Sequence, residues 1–291
     1  MSSAKRLQCA FKHAMRLPLS SDTKYVLMSD CHRGVGSSND NFMKNQHLCF
    51  AALKYYYQNH FTYIELGDGD ELWENRNLEH IICVHSNIYC LLSNFYKDNK
   101  LYMIYGNHDM IKKNQDYVNQ KYKTIYCADS GKHDILFPQF ACHEAIILQS
   151  IEKPEKTLYL THGHQASLLN STLWPVSQFL VRYVWKPLEN IGFSNSTSPA
   201  KNHRVRTDTE KHLSTWATDT KHILIAGHTH RPLLTTESPY YCNTGSCIHP
   251  NCITCIEIEG HALTLVKWCT NTHTDGTLYV AREILSGPIR I

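Results

Sequence analysis

Lys24-Tyr-Val-Leu-Met-Ser-Asp30-Cys-His32 is an apolar run that ends on a carboxylate and an imidazole. Residues 24–29 read as a buried strand. If the strand continues through Asp30 and His32, both side chains fall on one face and can grip one metal ion. An Asp-x-His pair is common by chance, so its weight comes from the groups downstream of it in the chain. Gly67-Asp68, Gly106-Asn107-His108-Asp109, His162-Gly163-His164 and Gly227-His228-Thr229-His230 come later in that order, nearly all at the ends of further apolar runs. Gly-Asp and Gly-Asn are ordinary turn pairs taken singly. Five ordered groups of carboxylate, imidazole and amide oxygen form instead a donor set for two hard or borderline cations.

The surrounding pattern supports an α/β sheet with a site beyond the carboxyl ends of its strands. Strands are expected at 62–66, 101–105, 141–149, 157–161 and 221–226, with a strand-rich tail at 252–258, 262–268 and 277–284. Asn39 or Asp40 suits a helix cap. Phe42, Cys49, Ala52, Leu53 and Tyr56 share one helical face, and a helix is expected over about 78–96. The interval 165–220 breaks the rhythm. Leu168, Leu169, Leu173, Trp174, Val176, Phe179, Leu180, Tyr183, Val184, Leu188 and Ile191 suggest amphipathic helices, with Pro175 at a start and Pro187 at a break. A polar loop at 194–199 and a helix over about 203–217 come next, with Val205, Leu213 and Trp216 inward. This segment reads either as a cap over the site or as a helical layer on the sheet. The whole chain, 1–291, is expected to form one domain with 165–220 as an insertion.

Composition narrows the field. The chain has 291 residues, of which 42% are hydrophobic and 19% charged, enough for a core and unlike a disordered chain. A net charge of +3 gives no support to bulk nucleic-acid binding. Histidine is abundant at 19 copies, which fits a metal site. The 12 cysteines sit largely in apolar contexts, and no signal-peptide-like or membrane-length run occurs, so a cytoplasmic location is expected.

In its constituent groups the chain resembles the calcineurin-like metallophosphoesterases over about residues 24–260. The resemblance implies a four-layer α/β/β/α sandwich with a dinuclear centre. It implies that Asp30, His32, Asp68 and His230 hold one metal, and Asp68, Asn107, His162 and His228 the other. Manganese is the first choice of ion, with iron, zinc or magnesium as alternatives. The resemblance further implies attack on phosphorus by a metal-bound hydroxide without a covalent enzyme intermediate. Asn107 and His108 would contact substrate, with His108 protonating the leaving oxygen and Asp109 orienting its ring. Arg33 is either a phosphate clamp or a loop arginine.

Subfamily features point away from protein phosphatases. Gly67-Asp68-Gly-Asp-Glu71-Leu-Trp73 lacks their Gly-Asp-x-Val-Asp-Arg-Gly arginine. Gly-Asp-x-x-Glu-x-Trp and Gly227-His-Thr-His-Arg-Pro232 are closer to the bacterial UDP-2,3-diacylglucosamine pyrophosphatases. The chain departs from these at His108 and His164, where they carry arginine and aspartate. The expected substrate is therefore a phosphorylated small molecule, nucleotide or lipid, with a UDP-sugar-lipid as one option. Lys201, His203, Arg204, Arg206 and Lys211 either attract an anion or form a solvated face. Two other readings compete: a non-catalytic interaction protein on the same fold, and a structural zinc set at Cys247-x-His249-x-x-Cys252-x-x-Cys255.

Overall fold

The fold is described from a computed structural model covering residues 1–127, 131–152, 157–171, 174–185, 202–235 and 240–291. Its strands are β1 (Met15–Leu19), β2 (Lys24–Met28), β3 (Thr62–Leu66), β4 (Leu101–Ile104), β5 (Thr124–Cys127), β6 (Lys132–Ile135), β7 (Cys142–His143), β8 (Ala145–Ser150), β9 (Thr157–Thr161), β10 (Ile223–Ala226), β11 (Tyr241–Asn243), β12 (Cys252–Glu259), β13 (Ala262–Thr272) and β14 (Leu278–Arg290). One sheet runs β14-β13-β12-β2-β3-β4-β7 and another β1-β8-β9-β10-β11, while β5 and β6 form a small hairpin. In the larger sheet β2, β3 and β4 are parallel neighbours. In the smaller one β9 and β10 are parallel neighbours. The fold is thus mixed α/β.

Alternation along each strand decides what lies between the sheets. Tyr25 and Leu27 of β2, Ile64 and Leu66 of β3, Ile146 and Leu148 of β8, Leu158 and Leu160 of β9, and Ile225 of β10 share one buried cluster. The intervening residues face the other way. Val26, Met28 and Tyr63 pack with Cys49, Ala52, Leu53 and Tyr56 of the helix Gln46–Gln58 and with Ile88, Leu92 and Phe95 of the helix Ser86–Lys97. Ala145, Ile147, Leu224 and Ala226 pack with Leu7 and Phe11 of the helix Ser3–Lys12 and with Leu213 and Trp216 of the helix His203–Thr220.

Local chemistry sets the helix ends. Asp40 accepts from the backbone of Phe42 and Met43, as one of the two caps expected there. Asn202 caps the helix His203–Thr220, and Lys221 ends it in a left-handed conformation. Leu213 and Trp216 are buried as expected, whereas Val205 is half-buried. The helix expected over 78–96 is broken into Leu78–Val84 and Ser86–Lys97 at His85, whose buried ring pairs with Asp40 at 3.1 Å. The strand expected over 141–149 is likewise divided, into β7 and β8. Trp174–Leu180 is helical, with Pro175 in its first turn. Leu173, Pro187, Leu188, Ile191, the loop 194–199 and Lys201 lie outside the described residues.

Among the described residues ten cysteines are free thiols, and Cys31, Cys49, Cys247 and Cys255 fill the helix-side core. Cys90 departs from the free-thiol reading, because it is disulfide-bonded. Among the described residues no helix is long and apolar enough to cross a membrane. Leu148 is fully buried between the sheets. Leu148→Ala is expected to lower unfolding free energy by about 2–5 kcal/mol, read from the urea midpoint at unchanged slope.

Candidate metal centre

The carboxyl ends of β2, β3 and β4 meet those of β9 and β10, and the ligand groups stand immediately beyond them. The loops keep ladder-like bonds past the strands: Asp30 N donates to Gly67 O and His32 N to Asp68 O, at 3.1 and 2.9 Å. Across the sheets, His162 Nδ1 donates to Leu66 O at 2.8 Å. That bond commits the Nδ1 proton and makes Nε2 the nitrogen turned toward Asp68 and Asn107.

The strand does not continue through Asp30 and His32. Asp30, His32, Asp68, His228 and His230 all have positive φ, between 48° and 69°. This left-handed backbone is strained for non-glycine residues and turns successive side chains inward. The neighbouring glycines are steric necessities. A Cβ on Gly106 would stand 2.1 Å from Asp68 Oδ1, and one on Gly227 would stand 2.6 Å from Asp30 Oδ2.

Two donor groups result. Asp30, His32 and His230 form one, and Asp68, His162 and His228 the other. Asp30 Oδ2 is occupied by Ser29 Oγ and by His228 N. Among the described residues Asp30 Oδ1 is buried without a hydrogen-bond partner of good geometry, 3.0 Å from His230 Nε2 and 3.8 Å from His32 Nε2. Asp68 Oδ2 lies between the groups, 3.1 Å from His162 Nε2 and 3.8 Å from His32 Nε2. Its Oδ1 accepts from His108 N at 2.8 Å. Asn107 Oδ1 is 3.2 Å from His162 Nε2. A buried carboxylate oxygen among convergent imidazoles is the donor chemistry of a cation site, so these residues could hold metal.

Electrostatics agree with that fit. Burial opposes ionisation of Asp68, but His162, His108 and His32 outweigh it and hold the carboxyl well below its usual range. Burial would discharge His162, but Asp68 draws it up to about 9, so Nε2 carries a proton beside Asp68 that a cation would displace. His228 is pushed down to about 3 by burial and by the neighbouring His162, so it offers a neutral lone pair. His32, His108 and His230 are half-buried, which sets the open side of the site.

Two expected roles are corrected. Asp109 does not orient His108. Its oxygens accept instead from Gly106 N at 2.7 Å, Gly69 N at 3.2 Å and Lys112 Nζ at 2.6 Å. The His108 ring is held by Glu71, with Nδ1 2.8 Å from Oε1, and stacks on Trp73 at 4.2 Å. Arg33 is buried and cannot clamp a phosphate. Its guanidinium donates to both oxygens of Glu65, at 2.8 and 2.9 Å, and to Asp70 at 2.8 Å. His164 is buried beside His162 and belongs to neither donor group. The cysteine set does not converge either. Cys247 and Cys255 are core residues, the latter beside Tyr56 Oη, and His249 Nε2 donates to His230 O.

Asn170 is a neighbour that sequence reasoning missed, with Nδ2 3.2 Å from His228 Nε2. Leu168-Leu169-Asn170 carries no signal of that contact. The helix Trp174–Leu180 and the turn after it are anchored near the site. Arg182 donates to Leu72 O and Trp73 O at 2.7 and 2.8 Å, and Gln178 to Leu72 O at 3.4 Å. Val176, Phe179, Leu180 and Tyr183 are exposed.

No protein-family model matches the chain, and no curated protein matches it. Among solved structures, Vps29 of Chaetomium thermophilum is similar at a TM-score of 0.39 and 12% identity, over 91% of this chain and 97% of that chain. The chemistry of the site is read from its own residues. Arg33→Met would leave Glu65 and Asp70 buried and unpaired, and is expected to cost about 3–5 kcal/mol of stability in a denaturant titration.

Proposed function

We propose that the chain is a metal-dependent phosphoesterase with a four-layer α/β/β/α metallophosphoesterase sandwich. The observation that carries this reading is the shared carboxylate: Asp68 Oδ2 stands within 4 Å of imidazole nitrogens from both donor groups. Asp30, His32, Asp68 and His230 would hold one cation, and Asp68, Asn107, His162 and His228 the other. Two such ions supply positive charge to a phosphoryl oxygen and a nucleophilic water at neutral pH, with manganese as the first candidate.

The remaining work falls to the chain. His108 stands beside His32, with ring centroids 4.6 Å apart. Burial pulls the pKa of His108 down, but Glu71 and Asp68 outweigh it and raise it. With Nδ1 tied to Glu71, the proton for the leaving oxygen is carried on Nε2. The interdigitated ligand set and His108 favour an enzyme over a non-catalytic scaffold of the same fold.

A second reading concerns the substrate. Val176, Phe179, Leu180 and Tyr183 form an exposed apolar row at helical spacing, on a segment whose Arg182 grips the Leu72 and Trp73 carbonyls next to His108. That row suits an amphipathic phosphoester such as a UDP-linked lipid.

In a panel of phosphomonoesters, phosphodiesters, nucleotide sugars and UDP-linked lipids with Mn²⁺, at least one class is expected to be hydrolysed. Asp68→Asn should abolish turnover and lower the bound-metal ratio. His108→Ala should reduce kcat by about 10²–10⁴-fold while leaving that ratio unchanged. A wild-type protein that binds two metals and turns over nothing in the panel would sink the enzyme reading.

A further inference from the structure

Glu71 lies between two histidines that have different tasks in the phosphoesterase reading, on which this inference rests. Its Oε2 is 2.8 Å from His32 Nδ1, and its Oε1 is 2.8 Å from His108 Nδ1. The two rings meet edge to face at 85°. We propose that Glu71 is a positioning residue for both, fixing the ring of a metal ligand and the ring of the proton donor with one carboxylate.

The geometry supports a shared role. Glu71 is 8% exposed, and its backbone is fixed on both sides. Its N donates to Arg33 O at 3.0 Å, and its carbonyl accepts from Asn75 Nδ2 at 2.9 Å. A neutral imidazole carries one N–H. Committing it at Nδ1 of His32 leaves Nε2 as the lone pair facing Asp30 and His230. With Nδ1 of His108 committed to Glu71, Nε2 is the nitrogen left to face the leaving oxygen; as the proton donor His108 is the imidazolium, with an N–H at each nitrogen. A carboxylate has two acceptor oxygens and can take both N–H groups. An amide has one oxygen, so its NH₂ must face one of the two rings donor to donor. Trp73, two residues on, stacks on His108 at 25° and completes its placement. The Glu71-Leu-Trp73 triplet therefore performs the task that the sequence assigned to Asp109.

His32, Glu71 and His108 also form a group able to ligate a cation. Two facts favour positioning over a third ion. Both Nδ1 atoms are already at hydrogen-bond distance from separate oxygens of the carboxylate, and His32 presents its other nitrogen to the Asp30 group.

Glu71→Gln is the direct test, with Glu71→Asp as a second variant that keeps the charge if the amide fails to fold. Zinc calorimetry and ring ¹⁵N NMR of the zinc-loaded protein are used because neither needs turnover. Wild-type protein should bind two zinc ions. Glu71→Gln should weaken one of them about 10–100-fold and leave the other unchanged. It should also remove the hydrogen-bonded Nδ1–H signature from at least one of His32 and His108, and Glu71→Asp should fall between the two. Unchanged zinc affinity, unchanged ring spectra of both histidines, or a third zinc lost with Glu71 would each overturn the proposal. These outcomes are separate from the activity panel. Inactive wild-type protein with the expected zinc and ring changes removes the phosphoesterase reading and leaves the placement of Glu71 standing.

Discussion

Five buried charges beneath the ligand loops hold the site together. Arg33 and Lys112 are set among Glu65, Asp70 and Asp109, with Lys112 Nζ 2.7 Å from Asp70 and 2.6 Å from Asp109. Tyr89 and Tyr122 donate to Asp70, and Tyr63 to Glu65. The loops after β2, β3 and β4 each contribute to this set. Arg33 comes directly after His32, Asp70 stands two residues beyond Asp68, and Asp109 two beyond Asn107. Moving any one loop would separate a buried ion from its partner, at a cost on the order of several kcal/mol. Relative placement of the three ligand loops is therefore fixed below the site, away from its open side.

The smaller sheet is held in a different way. His162 donates to a carbonyl of β3, and His228 N donates to Asp30. Each bond joins one ligand group to the opposite sheet. The apolar cluster between the sheets fixes their separation, and these two polar bonds fix their alignment at the site.

The sequence made the frame legible for a definite reason. Strand ends are marked by apolar runs that stop at a polar group, so Asp30, Asp68, Asn107, His162 and His228 could be read without knowing the sheet order. Contacts of side chains across loops carry no such mark. Asp109 beside His108 in sequence suggested a pair, yet its oxygens are consumed by Lys112 and by backbone amides. Glu71, 37 residues from His108, took its place. Arg33 was equally misleading. An arginine next to a metal ligand looks like a phosphate clamp until the partner carboxylates on β3 and after Asp68 are seen. His85 breaks a helix that its apolar periodicity would continue, because its ring is satisfied by Asp40.

The left-handed backbone at Asp30, His32, Asp68, His228 and His230 has a consequence for how such a chain can change over time. Each position holds a conformation that costs a non-glycine residue roughly 1–2 kcal/mol. Replacement by glycine would delete a ligand and relax the backbone in the same step. Stability thus favours erosion of the ligand set, and only selection for what the ligands do retains it. Loss of these side chains need not mean loss of fold: the inter-sheet cluster and the buried charges do not include them, although Asp30 takes part in one bond that aligns the sheets. The same architecture can lose its cation-binding side chains by small, stabilising steps.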